Sequence, residues 1–304
     1  MPRLLFHRDF TEYTGGHGKV WDYFRHAQAL GWDARVYLTP RSLRDASNPW
    51  MQCPQYVLPQ WQPEACDVLF LAGMDWAALP NPQQPPRPVI NLLQHVRHAW
   101  PEHPLRAFLS APARRICVSQ PVADAVLATG AVNGVVTVIP AALDLPPSET
   151  VPTKDGVLIA GLKAVALAED TAQLLRQQGV PVEVLTGWLP RAEYLRKVAA
   201  AQVLLALPHP EEGFYLPALE GMALGVPVVT TDSIGSREYV RAGSNCLLAE
   251  RQASALAEAA LGALQPTQAA ALQRAGHATA SGYGQAQERA RFADVLQALQ
   301  AEVG

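Results

Sequence analysis

The chain has 304 residues, 49% of them hydrophobic and 17% charged, with 24 basic side chains against 27 acidic ones and a formal net charge of −3. The apolar content excludes global disorder, the near-balanced charge argues against a protein held to nucleic acid by phosphate neutralisation, and the length suggests two domains. No run approaches the ~18 continuous apolar residues of a membrane span, the N-terminal apolar run is too short for a secretory signal, and Cys53, Cys66, Cys117 and Cys246 are scattered without a CxxC pair. A reduced, cytoplasmic protein is the simplest reading.

Short apolar runs alternate with longer amphipathic stretches, the pattern of βα units around a parallel sheet. Residues 3–7 read as the first strand, and a polar loop then ends in Gly15-Gly16-His17-Gly18. A helix is expected over 19–30, with Val20, Tyr23, Phe24, Ala27 and Leu30 on one face and Gly31 as its stop. Strands are expected at 34–38, 67–71, 89–93, 115–118 and 135–139, with a helix over 119–128. Residues 143–156 carry three prolines in a Ser/Thr/Asp/Gly-rich mix and read as a linker. The alternation then restarts: strand 157–160, helix 165–178, strand 182–185, helix 191–200, strand 203–207, a loop, a helix of three turns, strand 226–230, and alanine-rich helices at 252–264 and 285–300. This is an α/β chain of two Rossmann-like domains, 1–147 and 148–304, with the last helix (285–304) crossing back to the first. Ligands of such sheets sit at the carboxyl ends of the strands, which places a cleft between the two.

The most informative stretch runs from His209 to Val229. Pro217 suits the first turn of a helix, Gly225 suits a left-handed stop, and Val226-Pro227 prevents continuation. Gly213 lets the backbone approach a ligand, and the free N–H groups near 214–218 suit a diphosphate. Glu212 lies in the loop and Glu220 one turn inside the helix. A carboxylate in this position accepts two hydrogen bonds from a ribose diol, and the other holds hydroxyls of a sugar.

Glu212 and Glu220, eight apart in EGFYLPALE, match the Glu-x7-Glu motif of retaining glycosyltransferases of the GT-B fold, and EGFYLPALEGMALGVPVV resembles glycosyltransferase family 4. Supporting pieces fall in the family's order: TGGHGKVWDYFRHAQALGWDARVY, ICVSQPVADAV, VTVIPAALDL and IGSREYVRAGSNCLL. The resemblance implies a GT-B fold and a retaining, metal-independent hexosyltransferase that uses a nucleotide-diphosphate sugar as co-substrate, without further cofactor. It assigns the ribose to Glu220 and the donor sugar to Glu212, with the backbone of Gly213, Phe214, Tyr215 and Leu216 around it. It assigns the diphosphate to Lys163, which follows Gly161, and places Trp188 beside the base. Gly15 and Gly16 would bring backbone N–H groups to the site, and His95 would contact sugar or acceptor. Leu162 stands where the family usually presents an arginine; either Lys163 acts alone, or Arg237 or another residue compensates, or donor binding is weak.

No Asp-x-Asp occurs, in keeping with a metal-free mechanism, and His95, His98 and His103 lack a matching ligand cluster. Residues 97–115 interleave Arg97, Arg106, Arg114 and Arg115 with Trp100 and Phe108. This stretch reads as a solvated face or as a patch for an acceptor at the inner membrane surface. A glycan, a lipid-linked sugar or a protein are all open as acceptors. Two other functions fit the same fold: a nucleotide-sugar 2-epimerase, and a non-catalytic sugar-nucleotide-binding protein.

Overall fold

A computed structural model describes residues 1–145 and 154–303. The expected domain boundary at 147/148 and the centre of the expected linker lie outside the described residues. The chain divides into two units, Met1–Ala141 with the chain from Glu288 onward, and Ala142–Gln287.

The first unit is built on β1 (Arg3–Arg8), α1 (Gly15–Ala29), β2 (Asp33–Leu38), β3 (Val57–Leu58), β4 (Val68–Ala72), β5 (Val89–Leu93), β6 (Arg114–Cys117), α2 (Gln120–Leu127) and β7 (Val136–Val138). The strands form one parallel sheet in the order β3-β2-β1-β4-β5-β6-β7. The chain first moves outward from β1 to β2 and β3, then returns to the other side of β1 at β4. The switch point of this sheet therefore lies between β1 and β4. β4 and β5 are buried along their whole length, as nearly continuous apolar runs require of central parallel strands; the buried Asn91 in β5 donates to the Leu71 carbonyl.

Helix α1 starts four residues earlier than its apolar periodicity suggests. Thr14 is extended (φ −129°, ψ 162°), and its hydroxyl accepts the His17 N–H. That cap recruits Gly15, Gly16 and Gly18 into the first turn despite glycine's low helix propensity. The helix ends at Gly31, whose φ of +80° is a left-handed conformation that glycine adopts without steric cost.

The basic stretch 97–115 is not a uniform surface patch. Arg115 is fully buried; it donates to Asn91 Oδ1 at 2.6 Å and to the carbonyls of Leu109 and Ala111 at 2.8 and 2.5 Å. Burial pushes its pKa down to about 10. His98 is buried too, and Phe108 stacks on Trp76. Arg115 thus holds the short helical turn at 104–110 onto the sheet; Arg97 is exposed, and Trp100, Arg106 and Arg114 are half-buried.

The second unit contains β8 (Asp155–Ala160), α3 (Val165–Gln177), β9 (Val182–Leu185), α4 (Arg191–Ala200), β10 (Ala201–Ala206), α5 (Leu216–Ala223), β11 (Val228–Thr230), β12 (Leu247–Leu248), α6 (Ala253–Ala263) and α7 (Pro266–Ala280). Helix α8 (Gln285–Val303) belongs to the first unit from Glu288 on. The sheet is parallel, ordered β12-β11-β10-β8-β9. Its residues alternate between two cores, as a pleated strand dictates. Val157, Ile159, Val203 and Leu205 pack with α3 and α6, while Leu158, Leu204 and Ala206 pack with α5 and Val198 of α4. Each such buried aliphatic side chain contributes about 1.5–3 kcal/mol. Helices α4 and α5 therefore share one face of the sheet, with both N-termini at its carboxyl edge.

Two readings of this half needed revision. Helix α5 is eight residues long rather than three turns: it stops before Gly225 as expected (φ +64°) but begins only at Leu216, with Pro217 in its first turn. Helix α7 was not anticipated: its Ala/Gln-rich sequence buries little beyond Leu272, Gly276 and Ala280 and has a faint apolar stripe.

Candidate active site

Strand β8 has β9 on one side and β10 on the other, so the switch point of the second sheet lies between β8 and β10. A crevice opens at the carboxyl ends of two such strands because their following segments diverge. Lys163 follows β8 and Glu212 follows β10. They meet there, with Lys163 Nζ 3.1 Å from Glu212 Oε1, and the lysine side chain is half exposed. Gly161 is required just before: a Cβ on it would lie 2.4 Å from Ala168 Cβ, so only glycine lets α3 pack close and carry Lys163 to the edge.

Glu220 is the unusual member. It sits in α5 with 1% of its surface exposed, and burial raises its carboxyl above the usual range. Arg191, the first residue of α4, opposes that shift: its Nη1 lies 2.5 Å from Glu220 Oε1, and its Nη2 donates to the Asp144 carbonyl at 3.3 Å. The buried Tyr194 hydroxyl, one turn beyond Arg191, lies beside the Glu220 carboxylate, and with Arg191 it opposes the upward shift. Trp188, three residues before Arg191, is 64% exposed.

The Glu212 loop is clamped from behind. Gly235 N–H donates to the Glu212 carbonyl, and a Cβ on Gly235 would lie 2.2 Å from the Gly213 carbonyl carbon. Tyr239 donates its hydroxyl to the Tyr215 carbonyl. The Tyr215 side chain is buried in the core, so only its backbone is available to a ligand; the Phe214 ring packs against Tyr239 and Tyr283. Arg237 is engaged elsewhere, with Nε and Nη2 at 3.0 and 2.5 Å from the two oxygens of Asp232.

Gly15 and Gly16 lie after β1 of the first sheet, at its switch point, and Gln94 donates to the Gly16 carbonyl at 3.2 Å. His95 follows β5 and uses Nδ1 to accept the Arg97 N–H at 3.0 Å, so it caps the turn at 96–99. Sequence reasoning missed the polar cluster at the same edge. Asp75, just past β4, accepts from Arg8 at 2.5 Å and lies 3.1 Å from His7 Nδ1, and Arg8 Nη2 is 3.0 Å from His17 Nδ1. Burial, then Arg8, lowers the His17 pKa to about 4. The topology is the signal that could have found this cluster: charged residues ending β1 and following β4 converge at a switch point. Arg191 was missed because it opens an ordinary amphipathic helix.

The unit-1 and unit-2 residues singled out from sequence are thus collected at two sheet edges, with Lys163, Glu212 and Glu220 on one and Gly15, Gly16 and His95 on the other. Among the described residues no group of three or more His, Cys, Asp or Glu is placed to hold a metal ion, and no helix is long and apolar enough to cross a membrane.

Residues 156–266 match the family Glycosyl transferases group 1. No curated protein matches the chain by sequence. Among solved structures, HepE of Anabaena in complex with UDP-glucose is similar at 18% identity and a TM-score of 0.74, over 98% of this chain and 100% of that one. A sucrose-phosphate synthase from Thermosynechococcus elongatus is 16% identical with a TM-score of 0.72, covering 99% and 100%. The lipopolysaccharide outer core galactosyltransferase WaaB is 12% identical with a TM-score of 0.66, covering 98% and 99%. The chain thus has the fold of the GT-B glycosyltransferases and carries, within its second unit, a region matching Glycosyl transferases group 1, so the resemblance to glycosyltransferase family 4 drawn from the Glu-x7-Glu segment holds.

Proposed function

We propose that this chain transfers a hexose from a nucleotide-diphosphate sugar to an acceptor hydroxyl, with retention of configuration and without a metal ion. The observation that carries the reading is the meeting of Lys163 and Glu212 at the switch point, with the buried carboxylate of Glu220 in the helix that follows Glu212. A solved relative in fold, HepE, holds UDP-glucose, which supports the donor class.

In this account the ribose diol donates to Glu220, and the donor sugar's hydroxyls donate to Glu212. Lys163 and the N-terminal amides of α5 face the diphosphate. Charge develops on that diphosphate as the glycosidic bond breaks, and preorganised donors there stabilise the transition state more than the ground state. The leaving phosphoryl oxygen takes the acceptor proton, so no separate base is assigned. The first unit, with Gly15, Gly16 and His95, is the acceptor side. The acceptor is a glycan, lipid-linked sugar or protein, and the surface at Arg97 and Trp100 is the place for peripheral membrane contact in the cytoplasm.

The test is thermal shift with UDP-glucose, GDP-mannose, ADP-glucose and dTDP-glucose, followed by nucleoside diphosphate release with and without acceptor sugars. The reading expects one donor to raise Tm and to be turned over faster with acceptor. No shift with any of them would sink it.

A further inference from the structure

In the second unit each carboxylate assigned to the donor already holds a cation: Glu212 holds Lys163 at 3.1 Å and Glu220 holds Arg191 at 2.5 Å. The two pairs differ in depth. In Lys163–Glu212 the lysine is half exposed and the glutamate 19% exposed, whereas Glu220 is 1% exposed and Arg191 covers it with a side chain that is 43% exposed. A buried carboxylate needs a partner, and removing one leaves a costly uncompensated charge. Arg191 is that partner here, and it reaches Glu220 from the solvent side. Meanwhile position 162 holds an exposed leucine, and Arg237 is paired with Asp232 at the surface.

We propose that Arg191 is the second cation of the donor site and exchanges partners on binding. Resting on the donor-site reading above, the exchange is as follows. The ribose diol takes over the carboxylate of Glu220 by donating both hydroxyls. The displaced guanidinium swings on its long side chain from the mouth of the site to the diphosphate, where its planar fork matches phosphoryl oxygens. Lys163 makes the corresponding move from Glu212. The positive charge thus enters the site only when carboxylates and cations are both re-paired, so the binding of nucleoside and of diphosphate is coupled. The donor therefore holds its two cations from α4 and from the segment after β8, rather than both from the latter.

The test uses the full chain. UDP, ADP, GDP and dTDP are ranked by thermal shift, and the tightest is titrated calorimetrically alongside its nucleoside. The variants are Arg191→Gln, which keeps an N–H donor for Glu220, Arg191→Lys and Arg237→Gln. The expected result is that Arg191→Gln weakens the diphosphate by about tenfold or more, the scale of a lost charge-assisted hydrogen bond, while the nucleoside binds at least as well as to wild type. Arg191→Lys recovers most of the loss and Arg237→Gln changes neither ligand. Equal weakening of nucleoside and diphosphate by Arg191→Gln, or loss of diphosphate preference in Arg237→Gln instead, overturns the proposal while leaving the donor site standing. Failure of all four diphosphates to bind wild type removes the donor reading and this proposal together. Circular dichroism melts of each variant without ligand check that the ratio, not folding, has changed.

Discussion

Gly235 and Glu212 are locked backbone to backbone: the Gly235 N–H donates to the Glu212 carbonyl at 2.7 Å, and a Cβ on Gly235 would sit 2.3 Å from the Gly213 carbonyl oxygen. Such an overlap with backbone cannot be relieved by a rotamer change. Gly235→Ala is therefore expected to displace the Glu212 loop, costing about 1–3 kcal/mol and weakening nucleotide binding. Gly187 is the contrast, since a Cβ there meets nothing. Gly187→Ala should leave Tm within a degree or two of wild type. Parallel melts of the two variants decide this, and equal behaviour would contradict the clamp.

The Lys163–Glu212 pair separates function from stability. The lysine is half exposed and the glutamate 19% exposed, and pairs that reach solvent in this way are worth about 0–1 kcal/mol. Glu212→Gln and Lys163→Met should melt like wild type. Glu212→Gln should lower kcat more than nucleotide affinity, whereas Lys163→Met should weaken binding of the diphosphate. A drop in Tm of several degrees in either would show that the pair is structural instead.

A buried network in the first unit should behave oppositely. Glu288 of α8 accepts from Lys19 at 2.8 Å and lies 2.9 Å from His26 Nε2, with Asp22 2.7 Å from Lys19. All four side chains are buried. Glu288→Ala removes a carboxylate partner from the buried Lys19 in a low-dielectric site, a loss on the order of 3–5 kcal/mol of stability by urea unfolding. A loss below 1 kcal/mol would show that α8 is held to α1 by packing alone.

Two histidines set a pH dependence. Burial lowers His98 to about 3 and His17 to about 4, from the ordinary 6.5. Between those values and 6.5 the unfolded chain binds protons that the folded chain does not. Stability therefore falls as pH drops below 6.5, and these two groups contribute no slope above it. In urea titrations from pH 7.5 to 4.5, His98→Gln should show a shallower decline than wild type. An unchanged slope would mean that His98 is not neutral in the folded chain.

The order of elements and the donor segment were legible in the sequence because each follows local rules. Strand β4 is a continuous apolar run, β5 and β10 are broken only by Asn91 and Gln202, and Pro217 and Gly225 bracket α5. What was illegible depends on topology. The start of α1 turned on Thr14, a cap whose single hydroxyl outweighed three glycines. Arg191 joins Glu220 only because α4 and α5 share one face of the sheet. Asp75, Arg8 and His17 converge only once β1 and β4 are neighbours. The basic appearance of 97–115 misled for a related reason: Arg115 satisfies interior carbonyls, a role that composition does not reveal.

The account rests centrally on Glu220 as the group that holds a nucleotide's ribose. The most direct measurement is calorimetric titration of UDP, GDP, ADP and dTDP into wild type and into Glu220→Gln, which keeps the side chain's shape while removing its charge. The account predicts that at least one of them binds wild type and binds the variant about tenfold or more weakly, the loss expected when a charged acceptor is removed. Equal affinity in the two proteins would contradict it.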